Sequence, residues 1–302
     1  MWFYMKKQKG EKSSYISAVK VWFHDQRAAS TTKAIDFPVF VEYYLNSGFL
    51  LISAKPRSNL YVYEEGKGFY SSDNTFPPTI TTEKIISQTY DRIVKLFGIE
   101  KADRSNEFRR RIFLLLDKFT KTPAEIKAAI DAQQDLIGQI SETIKRICGV
   151  PQSMDKDVAD DIYNTVEKYF SINWEEAFAF AEATSVFTKD RDAYPVKLKA
   201  TDEEDSKVEQ TAAEQLPLQT RAVFFDNKKM LQKNRACDGI LLRWKRTATE
   251  DGYGKHFNVR ISAIKGPCIF KFTEYTSKED IDNVVFSIIN HEGIDGTAAN
   301  NN

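Results

Sequence analysis

Three segments within residues 237–275 alternate apolar and polar side chains with a period of two. Successive side chains of a strand point to opposite faces, so each segment divides into two faces. One face is apolar and contains Ile240, Leu242, Trp244, Phe257, Val259, Ile261, Ala263, Cys268, Phe270 and Phe272. The other face collects Arg243, Lys245, Arg260 and Lys271, and these segments contain no acid. The pattern predicts an antiparallel sheet with one apolar face and one basic face.

A helix is predicted directly after these strands, from about Lys278 to Asn290. The residues Thr276 to Glu279 match a capping box, in which the Thr276 side chain accepts a hydrogen bond from the amide of Glu279. Apolar residues then recur at helical spacing, at Ile281, Val284, Val285, Ile288 and Ile289. Such a stripe is typical of a helix that packs on a core. We expect this helix to cover the apolar face of the sheet.

Near the N-terminus, residues 14–24 and 37–63 also have strand patterns. Turn residues at 46–48 and 54–59 divide the second stretch, which predicts an antiparallel β-meander. From residue 79 to residue 187 the apolar spacing changes to that of helices. Five helices are expected there.

The third of these helices is predicted to be long, over residues 123–147. Pro123 would occupy its first position and Glu125 would complete a capping box, while Gly149 ends it. A fourth helix runs through Val158 to Phe170, and the pair Asn173 and Glu176 predicts the start of a fifth.

The fold class is therefore α+β: an N-terminal antiparallel β-meander, a central helical bundle-like region, and a C-terminal antiparallel sheet packed by a terminal helix. The predicted regions are 1–78, 79–190 and 191–292, followed by a disordered tail over 293–302. Strands are also expected at 192–199 and 216–225. The pattern leaves open whether the two β regions merge into one structure across the helical insert.

Charge matters only locally, because 43 basic and 43 acidic residues give a formal net charge of zero. Residues 220–271 nevertheless contain twelve Lys or Arg against four acids. A connector after the strand at 216–225 carries Lys228, Lys229, Lys233 and Arg235. Together with the basic sheet face, these residues predict a site for nucleic acid, DNA or RNA, or for another polyanion. The alternative is that the basic residues face solvent and discourage edge pairing.

Binding of this kind is expected to follow the phosphate backbone with little sequence preference. Platforms for single strands present aromatic rings to the bases. Here Trp244, Phe257, Phe270 and Phe272 all fall on the apolar face, so base stacking is not expected.

An acidic loop is predicted at 201–215, where six acids accompany Lys207 alone. Two interpretations remain open. The loop is a solvated linker, or it folds over the basic region and competes with phosphate.

Enzymatic function is not favoured by any motif. The chain lacks G-x-S-x-G and a complete P-loop or dinucleotide pattern, and no acid-x-Lys pair follows Asp238 on the next strand. The candidates for zinc, which are Cys237, His256, Cys268 and His291, include no close ligand pair. We therefore predict no metal and no cofactor.

The cellular setting follows from the cysteines and from the apolar runs. Three widely spaced cysteines favour reduced thiols, and no apolar run is long enough to span a bilayer. The sequence predicts a soluble cytoplasmic protein without membrane contact.

The first functional hypothesis is a non-enzymatic binding module, alone or as a subunit of a larger assembly, that contacts nucleic acid or another polyanion through the basic C-terminal surface. The second is a protein-interaction or scaffold subunit whose partner binds the helix 123–147. The third is a hydrolase with an unrecognised site, since catalytic groups distant in sequence can converge in space.

Overall fold

The computed structural model describes residues 3–9, 12–25, 31–44, 48–69, 76–98, 104–151, 154–177, 185–201, 206–248, 254–263 and 267–289. The chain divides into two compact units, Met1–Ala102 and Asp103–Asn302. Each unit contains an antiparallel sheet, and a helix follows the second sheet, so the predicted α+β class is confirmed. Within the described ranges no helix has the length and apolar character needed to cross a membrane.

The N-terminal unit is built on one sheet and one helix. Its strands are β1 (Phe3–Lys9), β2 (Lys12–Asp25), β3 (Thr31–Tyr44), β4 (Phe49–Ser53) and β5 (Leu60–Val62). The order is β1-β2-β3-β4, and β5 returns to pair with β2 instead of continuing past β4. The sequence pattern did not predict β1, because its residues FYMKKQK do not alternate between apolar and polar.

Helix α1 (Thr82–Phe97) follows this sheet. It begins after Thr81, whose side chain accepts from the Lys84 amide, and it ends at Gly98, which adopts a left-handed conformation with φ of 61°. Glycine favours that conformation because it has no Cβ. Ile85 of the helix joins Val21, Val39 and other buried residues in the core of this unit.

The C-terminal unit contains a five-stranded antiparallel sheet. Its strands are β6 (Ala193–Thr201), β7 (Lys207–Thr211), β8 (Gly239–Lys245), β9 (His256–Ser262) and β10 (Ile269–Phe272), in the order β10-β9-β8-β6-β7. The predicted alternation is confirmed for β8 and β9, whose apolar positions are buried. On the edge strand β10, Phe270 and Phe272 are half-buried and pack against the same core.

Within the described residues this unit includes the helices α2 (Ser105–Phe119), α3 (Ala124–Asp131), α4 (Gln134–Cys148), α5 (Asp155–Ala177), α6 (Ala222–Asn234) and α7 (Lys278–Ile289). The core on the apolar sheet face includes Val284 and Ile288 of α7, as predicted, and also Leu116 and Phe119 of α2. The ring of Phe119 meets that of Trp244 edge-on, with centroids 5.5 Å apart. Helix α2 therefore covers the sheet as well, which its apolar stripe alone did not reveal.

The predicted single helix over residues 123–147 is wrong. Gln133 has φ of −109° and ψ of 16°, which separates α3 from α4, and Pro123 precedes α3 instead of occupying its first helical position. Ile126 and Ile130 of α3 are buried, whereas the apolar stripe of α4 is largely exposed. The stripe looked continuous in sequence because no glycine or proline marks the break.

Other boundaries also differ from the predictions. Helix α5 continues past Asn173 to Ala177, so no fifth helix begins at Asn173. The prediction failed because Asn-x-x-Glu spacing also occurs inside helices. The predicted strand at 216–225 is wrong: Leu218–Thr220 forms a 3₁₀ turn and α6 follows. The basic connector is consequently a helix.

The acidic loop and the terminal cap need correction too. Residues 207–211 form β7, which pairs with β6, so the segment is not a loop throughout. The cap of α7 is Ser277, whose Oγ accepts from the Asp280 amide at 3.1 Å, while the Thr276 hydroxyl donates to the Glu274 carbonyl. Residues 202–205 and the predicted tail 293–302 lie outside the described residues.

Candidate functional site

The solvent side of the C-terminal sheet carries a row of basic residues. Strand register pairs Lys197 with Leu241, Leu241 with Arg260, and Arg260 with Lys271. Directly opposed residues on neighbouring strands share a face, so these four positions form one line across β6, β8, β9 and β10. Three of the four are cations.

A second group of cations lies along the strands of the same face. Arg243 and Lys245 follow Leu241 on β8, and Lys199 follows Lys197 on β6. The register between β6 and β8 shifts by one residue between Pro195 and Lys197. This irregularity keeps both lysines on the solvent side although Val196 is buried. We call the resulting surface the basic face; it consists of Lys197, Lys199, Arg243, Lys245, Arg260 and Lys271.

The carboxylate of Glu209 lies against the basic face, at its β7 edge. Glu209 is paired in register with Lys199, forms an ion pair with Lys197, and lies 4.0 Å from the Lys199 ammonium. The hydrogen bond from Lys197 lowers the pKa of Glu209, and the charges of Lys197, Lys199 and Arg260 act in the same direction. Part of the acidic segment thus folds against the basic region, and Glu209 is an acid of that segment that makes such a contact.

The remaining cations of the basic face differ in their partners. Arg243 donates a hydrogen bond to the side-chain oxygen of Gln215. Lys245 and Arg260 are exposed, and within the described part of the chain their side chains make no ion pair or hydrogen bond. These two side chains are available to an anion from solution.

The basic face also holds an aromatic pair, which sequence analysis did not predict. Tyr194 is opposite Arg243 and His256 is opposite Lys245, so both rings lie on this side of the sheet. Their centroids are 5.9 Å apart with an interplanar angle of 68°. Trp244, Phe257, Phe270 and Phe272 lie on the apolar side as predicted, but the prediction did not include Tyr194 and His256. The strand predicted at 192–199 was not assigned to this sheet, and His256 was considered only as a candidate zinc ligand.

The surroundings control the protonation of both rings. Burial lowers the pKa of His256, and the nearby charges of Arg243, Lys245 and Lys255 lower it further. Burial raises the pKa of Tyr194, against the opposing effect of Arg243. Near neutral pH both side chains are therefore uncharged.

The four connector residues lie elsewhere. Lys228 forms an ion pair with Glu167, and Lys229 lies 2.7 Å from Asp161, so both lysines face α5. Lys233 lies near the end of α6 and Arg235 directly follows that helix; both are exposed. The structure brings Arg243, Lys245, Arg260 and Lys271 together on the sheet but does not bring the α6 lysines to them.

The acids and thiols considered for catalysis are held in structural contacts. Asp238 forms an ion pair with Arg109, whose Nε lies 2.7 Å from the carboxylate, and accepts a hydrogen bond from Thr201 Oγ1 at 2.6 Å. Asp226 forms an ion pair with Lys168 at 2.6 Å. Burial raises the pKa of Cys237 to about 12, so its thiol stays protonated. Across the described residues no group of three or more His, Cys, Asp or Glu is placed to hold a metal ion.

The arrangement of the basic face suits electrostatic binding of an extended anion. Its cations spread over four adjacent strands, which lie about 4.8 Å apart, so the surface is several phosphates wide. Comparison of the chain with models of known protein families, with curated proteins and with solved structures finds no significant match.

Proposed function

We propose that the C-terminal unit binds nucleic acid through the basic face, by contacts to the phosphate backbone. The observation that carries this proposal is the collection of seven cationic side chains, the six of the basic face and Lys207 of β7, on one side of a sheet whose five strands contain a single acid, Glu209. The opposite face is buried against α2 and α7, so the basic face is the side of the sheet that a ligand can reach.

Phosphate binding by lysine and arginine releases condensed counterions, and this contribution does not depend on base sequence. The affinity then falls as salt rises, with a slope set by the number of phosphates that are neutralised. For four contacts to a duplex, that slope predicts an affinity loss of about 100-fold between about 50 and 200 mM salt. This salt dependence distinguishes backbone binding from contacts made mainly by apolar side chains.

The test measures binding of fluorescent DNA and RNA at these two salt concentrations. We expect the fourfold variant Arg243→Gln, Lys245→Gln, Arg260→Gln and Lys271→Gln to lose most of the affinity and most of the salt dependence. The control variant removes the same charge from exposed helix positions, at Lys84, Lys95, Lys127 and Lys156. Equal affinities of the two variants, or no binding by the wild type at the lower salt, would refute the proposal.

A second candidate function is self-association through α4. Four apolar side chains form one stripe on this helix and remain exposed: Leu136 at 52%, Ile140 at 40%, Ile144 at 37% and Ile147 at 75%. Meanwhile Ser141 is the side chain of α4 that is buried. A helix that turns its apolar stripe to solvent marks an interaction surface.

A second copy of the chain fits this stripe in antiparallel orientation. The first turn of α4 is acidic, with Asp135, and the last turn is basic, with Lys145 and Arg146. An antiparallel copy therefore places opposite charges at both ends of the contact and opposes the helix dipoles favourably.

Light scattering over a range of protein concentrations tests this second candidate. We expect a dimer that the double variant Ile140→Glu and Ile147→Glu converts to a monomer. The control adds two glutamates on another side of α4, at Gln134 and Gly138, and is expected to remain dimeric. A wild-type protein that is monomeric at every concentration would exclude self-association through this helix.

A further inference from the structure

The aromatic pair lies among the cations of the basic face. Strand β8 runs between β6 and β9, so the rings of Tyr194 and His256 meet across it. Their register partners on that strand are Arg243 and Lys245, which are two residues, or about 7 Å, apart. A group that rests on the rings therefore has a cation within reach on either side.

This pair lies outside the buried cluster on the apolar face of the sheet. Neither Tyr194 nor His256 belongs to the buried cluster on the apolar face, which contains Trp244, Phe257 and Val259 from the same strands. Tyr194 is 8% exposed, whereas His256 is half-buried and keeps accessible surface. Tyr194 thus packs against the imidazole in a T-shaped contact, and His256 is the more exposed of the two rings.

An uncharged ring among cations has a specific use. A protonated imidazole would add another charge to the cluster, but burial and the neighbouring cations lower the pKa of His256. The neutral ring offers a π-face, which can stack on any base. Charged side chains beside the ring can hold the phosphates of the same nucleotide and the next one.

We propose that the basic face is a site for single-stranded nucleic acid, in which one base stacks on His256 while Arg243 and Lys245 bind the flanking phosphates. This inference rests on the proposed function and deepens it. In a duplex the bases stack on one another and cannot reach the ring. Contacts to phosphate alone would not favour a single strand, so the preference must come from the aromatic pair.

The experiment compares a fluorescent single strand of about 15 nucleotides with the duplex of the same length, at about 50 mM salt. The variants are His256→Leu, which keeps apolar bulk but removes the π-face, and His256→Phe, which keeps a ring. Stacking of one base is worth about 1–3 kcal/mol, or roughly 5- to 150-fold in affinity. We expect the leucine variant to lose this factor for the single strand only, and the phenylalanine variant to retain it.

The Tm values of both variants provide the folding control, because Leu and Phe both place an apolar side chain at this half-buried position. Equal single-strand affinities of the two variants, or an equal loss for single strand and duplex, would overturn the stacking inference. That outcome leaves the proposed function intact if the fourfold glutamine variant still weakens binding to both ligands. If the fourfold variant has no effect, the proposed function itself fails.

Discussion

Two neighbouring lysines of α6 allow a matched test of what the cations of this helix do. Both pair with α5, but their burial differs. The side chain of Lys228 is 13% exposed and that of its partner Glu167 is 1% exposed, whereas Lys229 and Asp161 are 60% and 48% exposed. Glu167 also accepts a hydrogen bond from Thr122 Oγ1 at 2.6 Å.

Removing one partner of a buried ion pair leaves an uncompensated charge, which costs about 3–5 kcal/mol. An exposed pair contributes about 0–1 kcal/mol. We therefore expect Lys228→Met to lower the free energy of unfolding by about 3 kcal/mol, and Lys229→Met to lower it by less than about 1 kcal/mol. For a unit of this size the first change lowers Tm by roughly 6–12 °C.

Thermal unfolding followed by circular dichroism measures both variants, which change the net charge equally. The double variant Lys228→Met with Glu167→Leu should regain much of the lost stability, because it leaves no charge buried. Equal Tm values for Lys228→Met and Lys229→Met would refute the argument from burial. If either variant instead stayed stable and lost nucleic-acid affinity, the binding site would extend onto α6.

Three further predictions concern the C-terminal sheet and the N-cap of helix α7. Glu209→Gln should strengthen nucleic-acid binding and increase the salt slope by about one contact, because Lys197 loses its ion-pair partner; an unchanged slope would contradict this. Ser277→Ala should lower the free energy of unfolding by about 1 kcal/mol, because the N-cap of α7 is lost, and Thr276→Ala should lower it by less. A larger loss for Thr276→Ala would indicate that Thr276 is the N-cap, as the sequence predicted. The pKa of His256 is lowered in the folded state, so the unfolded state binds more protons as the pH falls through about 6.5. The free energy of unfolding should therefore decrease as the pH falls below this value. The variant His256→Leu should show a smaller decrease over the same pH range.

The sequence predicted the two faces of β8 and β9 well, because their alternation places Ile240 and Val259 on one side and Arg243 and Arg260 on the other. It could not predict that β6 lies beside β8, since strand order depends on contacts between distant segments. Lys197 was therefore missing from the predicted site. The aromatic pair was missed for the same reason, because its two rings come from different strands.

Periodicity also failed where one pattern suits two structures. The break at Gln133 lacks the glycine or proline that usually marks a helix end, so α3 and α4 looked like one helix. Leu216 and Leu218 have strand spacing and are buried, yet they lie in and beside a 3₁₀ turn. In both cases apolar spacing alone did not determine the backbone conformation.

A chain with zero net charge can still present a strong local field, because exposed charges separated by more than about 10 Å are largely screened at 0.1 M salt. On α6 the field of Lys228 and Lys229 is cancelled by acids of α5 within contact distance. Within the strands of the sheet, Glu209 is the acid that compensates the cations. Glu209 is opposite Lys199, and Lys199 is opposite Gly239 at the start of β8. Lys245 lies six residues further along β8, about 20 Å away, so Glu209 is screened from it. Glu209 therefore does little to weaken the field of Lys245, and we expect a single strand to bind at the end of the sheet where Lys245 and His256 lie.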